Sequence, residues 1–290
     1  MPVPSPTHVL TITCPDTVGL VAAVSGFLSA EGAFINESAQ YGDRETQTFF
    51  MRVVLSAAAG GGAGEDADGL GLRFTDLARR FGMRWTLHDL CRRPRVLICV
   101  SKAGHCLNDL LHRWHSGLLP IEVAGVMGNH DSLRHLADWH NVPFHHLPVT
   151  PATKGDQERA LLDLIRNLDV ELVVLARYMQ ILSPTLCQAL SGRCINIHHS
   201  FLPGFKGARP YHQAHARGVK LIGATAHYVT TDLDEGPIIE QAVERVDHTH
   251  TSEHLVSIGR DIETVVLARA VQWHVERRVL INQHKTVVFR

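Results

Sequence analysis

Two residues with complementary chemistry, Asn196 and His198, stand two apart in the apolar run Cys194-Ile195-Asn196-Ile197-His198. On a strand, residues two apart share a face, so the amide and the imidazole would enter one pocket. Farther on, Asp234 lies in Leu233-Asp234-Glu235-Gly236-Pro237, after an apolar strand spanning 221–229. A carboxylate in that loop would orient His198 and tune its proton affinity. The three groups supply an oxyanion donor, a proton carrier and a base, which suits attack on a carbonyl. No Ser or Cys stands out as a nucleophile. An N-x-H tripeptide by itself is common, and a histidine beside a carboxylate is often only a structural pair, so the surrounding sequence has to decide.

The elements that must position these groups come from 290 residues, enough for one large or two ordinary domains. A hydrophobic content of 45% fits a packed globular chain. The formal net charge of -1 argues against a nucleic-acid surface driven by bulk charge. No apolar run reaches bilayer length, so no membrane partner is expected. Residues 1–6 lack the basic start and apolar core of a secretory signal. The six cysteines form no C-x-x-C pair and several sit in apolar runs, which reads as a reduced, cytoplasmic protein. Among twenty histidines, the adjacent pairs His145-His146 and His198-His199 would diverge on strands. His212 and His215 could share a helix face, and His248 and His250 a strand face. Neither pair has a third ligand at a familiar zinc spacing, so no metal is expected.

The first part of the chain reads β-α-β-β-α-β: strand 8–14, turn 15–19, helix 20–30 stopped by Gly32, strands 33–41 and 47–55, a Gly/Ala-rich surface loop over 57–71, helix 72–81 and strand 83–90. That order is ferredoxin-like, an α+β domain over 7–90. Cys91-Arg92-Arg93-Pro94 looks like a linker. Strand and helix then alternate over 95–290. Strands are expected at 95–100, 121–127, 144–149, 172–176 and 194–198, and helices at 106–115, 132–140, 157–168 and 184–190. A long helix over 252–279 and a final edge strand over 285–290 follow. This is the pattern of an α/β fold with an open, mostly parallel, Rossmann-like sheet and helices on both faces. In such sheets ligands bind beyond the carboxyl ends of the strands, where Asn196 and His198 lie.

The strings INIHHSFLPGFKGARPYHQA, GATAHYV and DLDEGPII, in that order, resemble the folate-dependent formyltransferase family over roughly 95–285. Several features point to its deformylase branch: the SKAGH string, the HHSFLPG form of the site motif and the N-terminal domain. The resemblance implies hydrolysis of 10-formyltetrahydrofolate by water to formate and tetrahydrofolate, supplying formate for purine synthesis and balancing one-carbon folate pools. Folate is then the substrate, and no metal or redox cofactor is called for. Asn196 and protonated His198 would donate to the tetrahedral oxyanion. Asp234 would be the general base, directly or through an ordered water, with the division of labour between His198 and Asp234 left open. Met179, Ile181 and Leu182, in LARYMQILS, would line the pterin slot. Backbone groups of Gln180 and Leu182 would bond the ring edge, and the loop 231–236 would close the other side. Ser200 and Lys102 join them as substrate contacts, Lys102 as the holder of an anion. Lys206 and Arg209 would meet the glutamate tail or stay as solvated loop charges.

The N-terminal string CPDTVGLVAAVSGFLSAEGAFI resembles an ACT domain. That implies effector positions at Asp16, Gly19 and Asn36, an amino-acid effector such as glycine or methionine, and a homo-oligomer. The alternative is a domain that only mediates assembly, with Asp16 capping the next helix and Gly19 serving a tight turn. Two other functions compete with hydrolysis. One is a formyltransferase with a different amine acceptor. Against it, Ser101-Lys102-Ala103-Gly104-His105 keeps only one glycine where a phosphate-holding loop would be glycine-rich. The other is a non-catalytic folate- or amino-acid-binding regulator, which the joint presence of Asn196, His198 and Asp234 opposes.

Overall fold

Alternating burial along β1 (His8–Pro15) puts Leu10, Ile12 and Cys14 on one face, where they meet α1 (Leu20–Ala30). The chain continues through β2 (Ala33–Asp43), β3 (Thr48–Ala57), α2 (Ala67–Phe81) and β4 (Arg84–Asp89). These strands form an antiparallel sheet in the order β2-β3-β1-β4. That is the ferredoxin-like order, in which each β-α-β crossover spans one strand. The structure is a computed structural model that describes residues 7–57, 67–204 and 210–290. Chain contacts divide it into two compact units, the first comprising Met1–Arg92, Glu276–Leu280 and Val287–Arg290. By sequence alone those C-terminal segments belong with the second domain, 95–290. Instead Phe50, Leu280 and Phe289 form one small core, and Arg52 donates to the carbonyl of Glu276.

Several expectations for this unit need correction. Helix α2 starts at Ala67, so Ala67 to Gly71 are not loop, and Ala57 ends β3; residues 58–66 lie outside the described residues. Leu70 and Phe74, four apart on one helical face, are both buried, and that packing outweighs the local glycines. Asp16 does not cap α1: the N-cap is Gly19, at φ 92, with no side-chain hydrogen bond. Gly19 does serve the tight turn. The carboxylate of Asp16 lies instead beside Gly42 at the end of β2. Asn36 falls at a bulge, where the β2–β3 register shifts between Ile35 and Glu37.

The second unit is built on β5 (Arg95–Val100), α3 (His105–His115), β6 (Glu122–Gly128), α4 (Arg134–Trp139), β7 (Phe144–His146), α5 (Lys154–Asn167), β8 (Leu172–Leu175), α6 (Pro184–Ala189), β9 (Cys194–His198), α7 (Pro210–Ala216), β10 (Leu221–Tyr228), β11 (Ile238–Arg245) and α8 (Ser252–Val275). Its sheet runs β11-β10-β9-β8-β5-β6-β7. β5 to β9 are parallel, while β10 and β11 are antiparallel additions. Leu97, Cys99, Val173 and Leu175 pack with Leu161 and Ile165 of α5 and Leu186 of α6. The alternate residues Val96, Ile98 and Val100 point the other way and are also fully buried. α8 packs against β9, β10, β11 and α3. The sheet is thus closed on both faces, which is why its central strands read as continuous apolar runs.

α8 ends at Val275 and not at 279, because Arg277 turns into left-handed backbone at φ 56. The chain then forms a two-stranded sheet of β12 (Val279–Asn282) and β13 (Lys285–Val288), so the last strand is not an edge of the main sheet. The strand β11 carries no clean sequence signal, since IIEQAVER breaks the alternation of apolar and polar residues and Val243 to Arg245 are exposed. His248 lies in a turn, so it shares no strand face with His250. Among the described residues no helix is long and apolar enough to cross a membrane.

The chain leaves β5 for β6 and β7 on one side, then returns to β8 on the other. The crevice at the carboxyl ends of β5 and β8 is therefore the topological switch point, where open α/β sheets take ligands. One close approach near it makes a test. A Cβ at Gly259 of α8 would lie 2.1 Å from the ring of Tyr211. Gly259→Ala should destabilise the protein by about 1–3 kcal/mol in chemical denaturation, even though Ala is favoured over Gly within a helix by about 1 kcal/mol. A stabilising change would show that the Tyr211 ring moves aside freely.

Candidate active site

Three neighbouring segments supply the reactive groups. Asn196 lies opposite His227 in the antiparallel β9–β10 register, so the two side chains share a face. Asn196 Nδ2 is 3.2 Å from His227 Nε2. His227 Nδ1 is 2.9 Å from the carbonyl oxygen of Tyr228. A carbonyl only accepts, so Nδ1 carries the proton, and Nε2 of the neutral ring accepts from Asn196. Burial lowers the proton affinity of His227 and supports that neutral tautomer. The relay fixes the Asn196 amide with its nitrogen inward and one N–H still free. His227 was missed in the sequence because its pairing with Asn196 depends on strand register; the apolar GATAHYV run showed only a strand.

Asp234 comes from the connection between β10 and β11 and sits in left-handed backbone at φ 57. The turn closes tightly because Gly236 follows: a Cβ there would lie 1.7 Å from the Tyr228 oxygen. Asp234 Oδ1 is 3.3 Å from His198 Nδ1 and 3.8 Å from His227 Nε2. The hydrogen bond from His198 holds the Asp234 carboxyl below its ordinary range, against the opposing effect of burial. His198 is buried, and its other nitrogen, Nε2, has no hydrogen-bond partner among the described residues. That nitrogen is thus buried with its hydrogen-bonding capacity unspent. The next residue, His199, is pushed down to about 4, first by burial and then by the charge of Arg177.

These groups line a cavity of about 300 Å³ together with Met179, Gln180, Ile181 and Leu182 on one side and residues 230–233 on another. Met179 is 56% exposed and Ile181 60% exposed, so neither is a core residue. Apolar side chains left open beside polar groups are the mark of a ligand slot. Ser101 Oγ, at the end of β5, accepts from Met179 N at 3.0 Å and ties this loop across the switch point. Two sequence candidates are not brought into the cavity. Lys102 is exposed and lines no part of it. Ser200 is buried behind it, where its hydroxyl donates to the Gly204 carbonyl at 3.3 Å and its carbonyl accepts from Thr225 Oγ1 at 2.9 Å. Its work is to hold the turn after β9. Lys206 and Arg209 lie outside the described residues. Asp16, Gly19 and Asn36 belong to the first unit.

Beside the cavity, His105, Cys106 and Glu263 bring ligand atoms within 4.8 Å of one another. The site suits a cation poorly. Arg177 Nε is 3.4 Å from the same carboxylate, Tyr211 OH donates to it at 2.8 Å, and burial raises the Cys106 thiol well above its ordinary range.

The formyl transferase family model matches residues 94–271. A formyltetrahydrofolate deformylase of Corynebacterium sp. (strain P-1) is 52% identical over 98% of both chains. That of Escherichia coli (strain K12) is 41% identical over 97% of both. Among solved structures, a formyltetrahydrofolate deformylase from Burkholderia mallei ATCC 23344 superposes with a TM-score of 0.93 at 52% identity, covering 99% of this chain and all of that one. Glycinamide ribonucleotide transformylase 1 from Symbiobacterium toebii superposes with a TM-score of 0.65 at 30% identity, covering 68% of this chain and 95% of that one.

His199, partly buried, and His227, buried, make stability depend on pH. His199 takes its proton near 4 in the folded chain against 6.5 ordinarily, and His227 is shifted the same way. Between those values the unfolded chain binds more protons, so their contribution is complete above about 6.5 and is lost as pH falls toward about 4. Denaturation midpoints should decline across that window, and His199→Gln should flatten the decline. A slope unchanged by that substitution would show that His199 titrates normally. In kinetics, His227→Phe removes the acceptor that fixes Asn196 and should lower kcat roughly ten- to a hundredfold with KM little altered.

Proposed function

The chain belongs to the formyl transferase family, alongside formyltetrahydrofolate deformylases over nearly its whole length, and we infer that it hydrolyses 10-formyltetrahydrofolate to formate and tetrahydrofolate. One observation carries the chemistry: the free N–H of Asn196, the unpaired Nε2 of His198 and the carboxylate of Asp234 belong to residues that line one cavity with exposed apolar walls.

In the reading we favour, the pterin ring enters between Met179, Ile181 and Leu182 and the loop that carries Asp234. Backbone groups of Gln180 and Leu182 bond its edge. Water attacks the formyl carbon and gives its proton to Asp234, directly or through a second water. The Asp234 carboxylate is ionised at neutral pH, so it can take this proton, and its charge also holds the imidazolium of His198. The carbonyl electrons move to oxygen, where the N–H of Asn196 and the Nε2–H of protonated His198 receive the oxyanion. The C–N bond then breaks as the folate nitrogen takes the proton of His198; the formic acid so formed gives its hydroxyl proton back to His198, Asp234 releases its proton to solvent, and formate leaves. No metal or redox cofactor enters this sequence.

We further propose an ACT-type regulatory role for the first unit, with glycine or methionine bound near Asp16, Gly19 and Asn36, and a homo-oligomeric assembly. The ferredoxin-like strand order supports this. The formate released would serve purine synthesis in the cytoplasm, where six free cysteines are at home.

The reaction is tested by formate release from 10-formyltetrahydrofolate with no amine present. Asp234→Asn should reduce turnover about a hundred- to ten-thousandfold, and Asn196→Ala about a hundred- to a thousandfold. Folate binding measured by fluorescence should persist in both. Stoichiometric formyl transfer to an added amine, without free formate, would replace hydrolysis with transfer.

A further inference from the structure

Arg177 follows β8 at the switch point and holds left-handed backbone at φ 64. Such backbone is uncommon for a residue with a side chain and points to a functional constraint. Among the described residues lining the cavity, Arg177 is the one permanent cation. Its side chain is 15% exposed, and Nε lies 3.4 Å from Oε2 of Glu263, itself 1% exposed. That contact balances charge without using the donors: among the described residues neither Nε nor Nη1 of Arg177, both buried, has a hydrogen-bond partner. Glu263 is already engaged, with His105 Nε2 at 2.7 Å from Oε2 and Tyr211 OH donating to Oε1 at 2.8 Å. The carboxylate therefore fixes the guanidinium in place, with Nε and Nη1 buried and still lacking an acceptor among the described residues.

An arginine in that state matches a planar carboxylate. Hydrolysis generates one in the cavity that Arg177 lines. The formyl carbon keeps its own oxygen, gains a hydroxyl from water and loses its bond to nitrogen, and the acid gives its proton to the now neutral His198 and departs as an anion. We propose that Arg177 holds formate as it forms, with Glu263, His105 and Tyr211 as its positioning residues. Arg177 then determines specificity for hydrolysis, because an amide product of transfer to an amine would carry no charge for it to receive. The proposal rests on the hydrolytic reading.

Formate release by the unaltered protein is recorded first; its absence sinks the hydrolytic reading and this proposal with it. Where release is seen, added formate should inhibit turnover. Arg177→Gln should raise the formate inhibition constant about tenfold or more, equivalent to about 1.4 kcal/mol, with KM for 10-formyltetrahydrofolate changed less than about threefold. Arg177→Lys, which keeps the charge but not the fork, should fall between. Equal formate inhibition in all three proteins overturns the role of Arg177 and leaves hydrolysis standing. A KM increase that vanishes with 10-formyltetrahydropteroate, which lacks the glutamate carboxylates, also overturns it in favour of tail recognition. If Arg177→Gln fails to fold, line broadening of ¹³C-formate by the unaltered protein and by Arg177→Lys decides. Equal broadening, or none in either, counts against the proposal.

Discussion

The antiparallel pairing of β9 with β10 is the constraint on which the site depends. It sets Asn196 opposite His227 and His198 opposite Thr225. A slip of one residue would send each side chain to the other face of the sheet. With this register, His227 fixes the amide of Asn196, and the connection beyond β10 carries Asp234 back to His198. Thr225, fully buried, bonds the carbonyl of Ser200 and the backbone N–H of Leu202, so the same strand also secures the turn that leaves β9. Substrate groups would therefore meet side chains already held in place, which is how positioning lowers a barrier.

Two kinds of buried polarity serve the second unit differently. The Asn196–His227 relay is neutral and nearly saturated, and its value is orientation. The cluster around Glu263 is charged. A buried carboxylate without partners would be strongly destabilising, and here two hydrogen bonds and a guanidinium offset that penalty. Burial raises Glu263, yet its partners bring it below the ordinary glutamate range, so the cluster keeps a full negative charge next to Arg177. Apolar residues of similar size could be as stable there, so stability alone gives little reason for the arrangement.

The architecture was legible where one physical signal dominated. β5 and β9 begin and end at the residues the sequence indicated, because a strand buried on both faces reads as an unbroken apolar run. The ferredoxin-like order of the first part was legible from period and turns. Boundaries were misread where tertiary packing outweighed local preference. Glycines hid the start of α2, whose Leu70 and Phe74 are paid into the core, and a left-handed Arg277 ended α8 where no glycine or proline signalled a stop. β11 escaped because its polar residues come in pairs, Glu240-Gln241 and Glu244-Arg245, and so lack clean alternation.

The sequence by itself determined the types of reactive group and that Asn196 and His198 share a face, since strand geometry makes that a local matter. It also marked Met179, Ile181 and Leu182 as candidates for a slot, through a resemblance and not through periodicity. Only the tertiary structure decided that Asp234 reaches His198, that His227 stands behind Asn196 and that Arg177 faces the cavity. It also excluded Lys102 and Ser200 from that cavity. Each of those outcomes depends on pairing between segments far apart in the chain, and the register of such pairing is set by the packing of the whole sheet, which no short run of residues encodes.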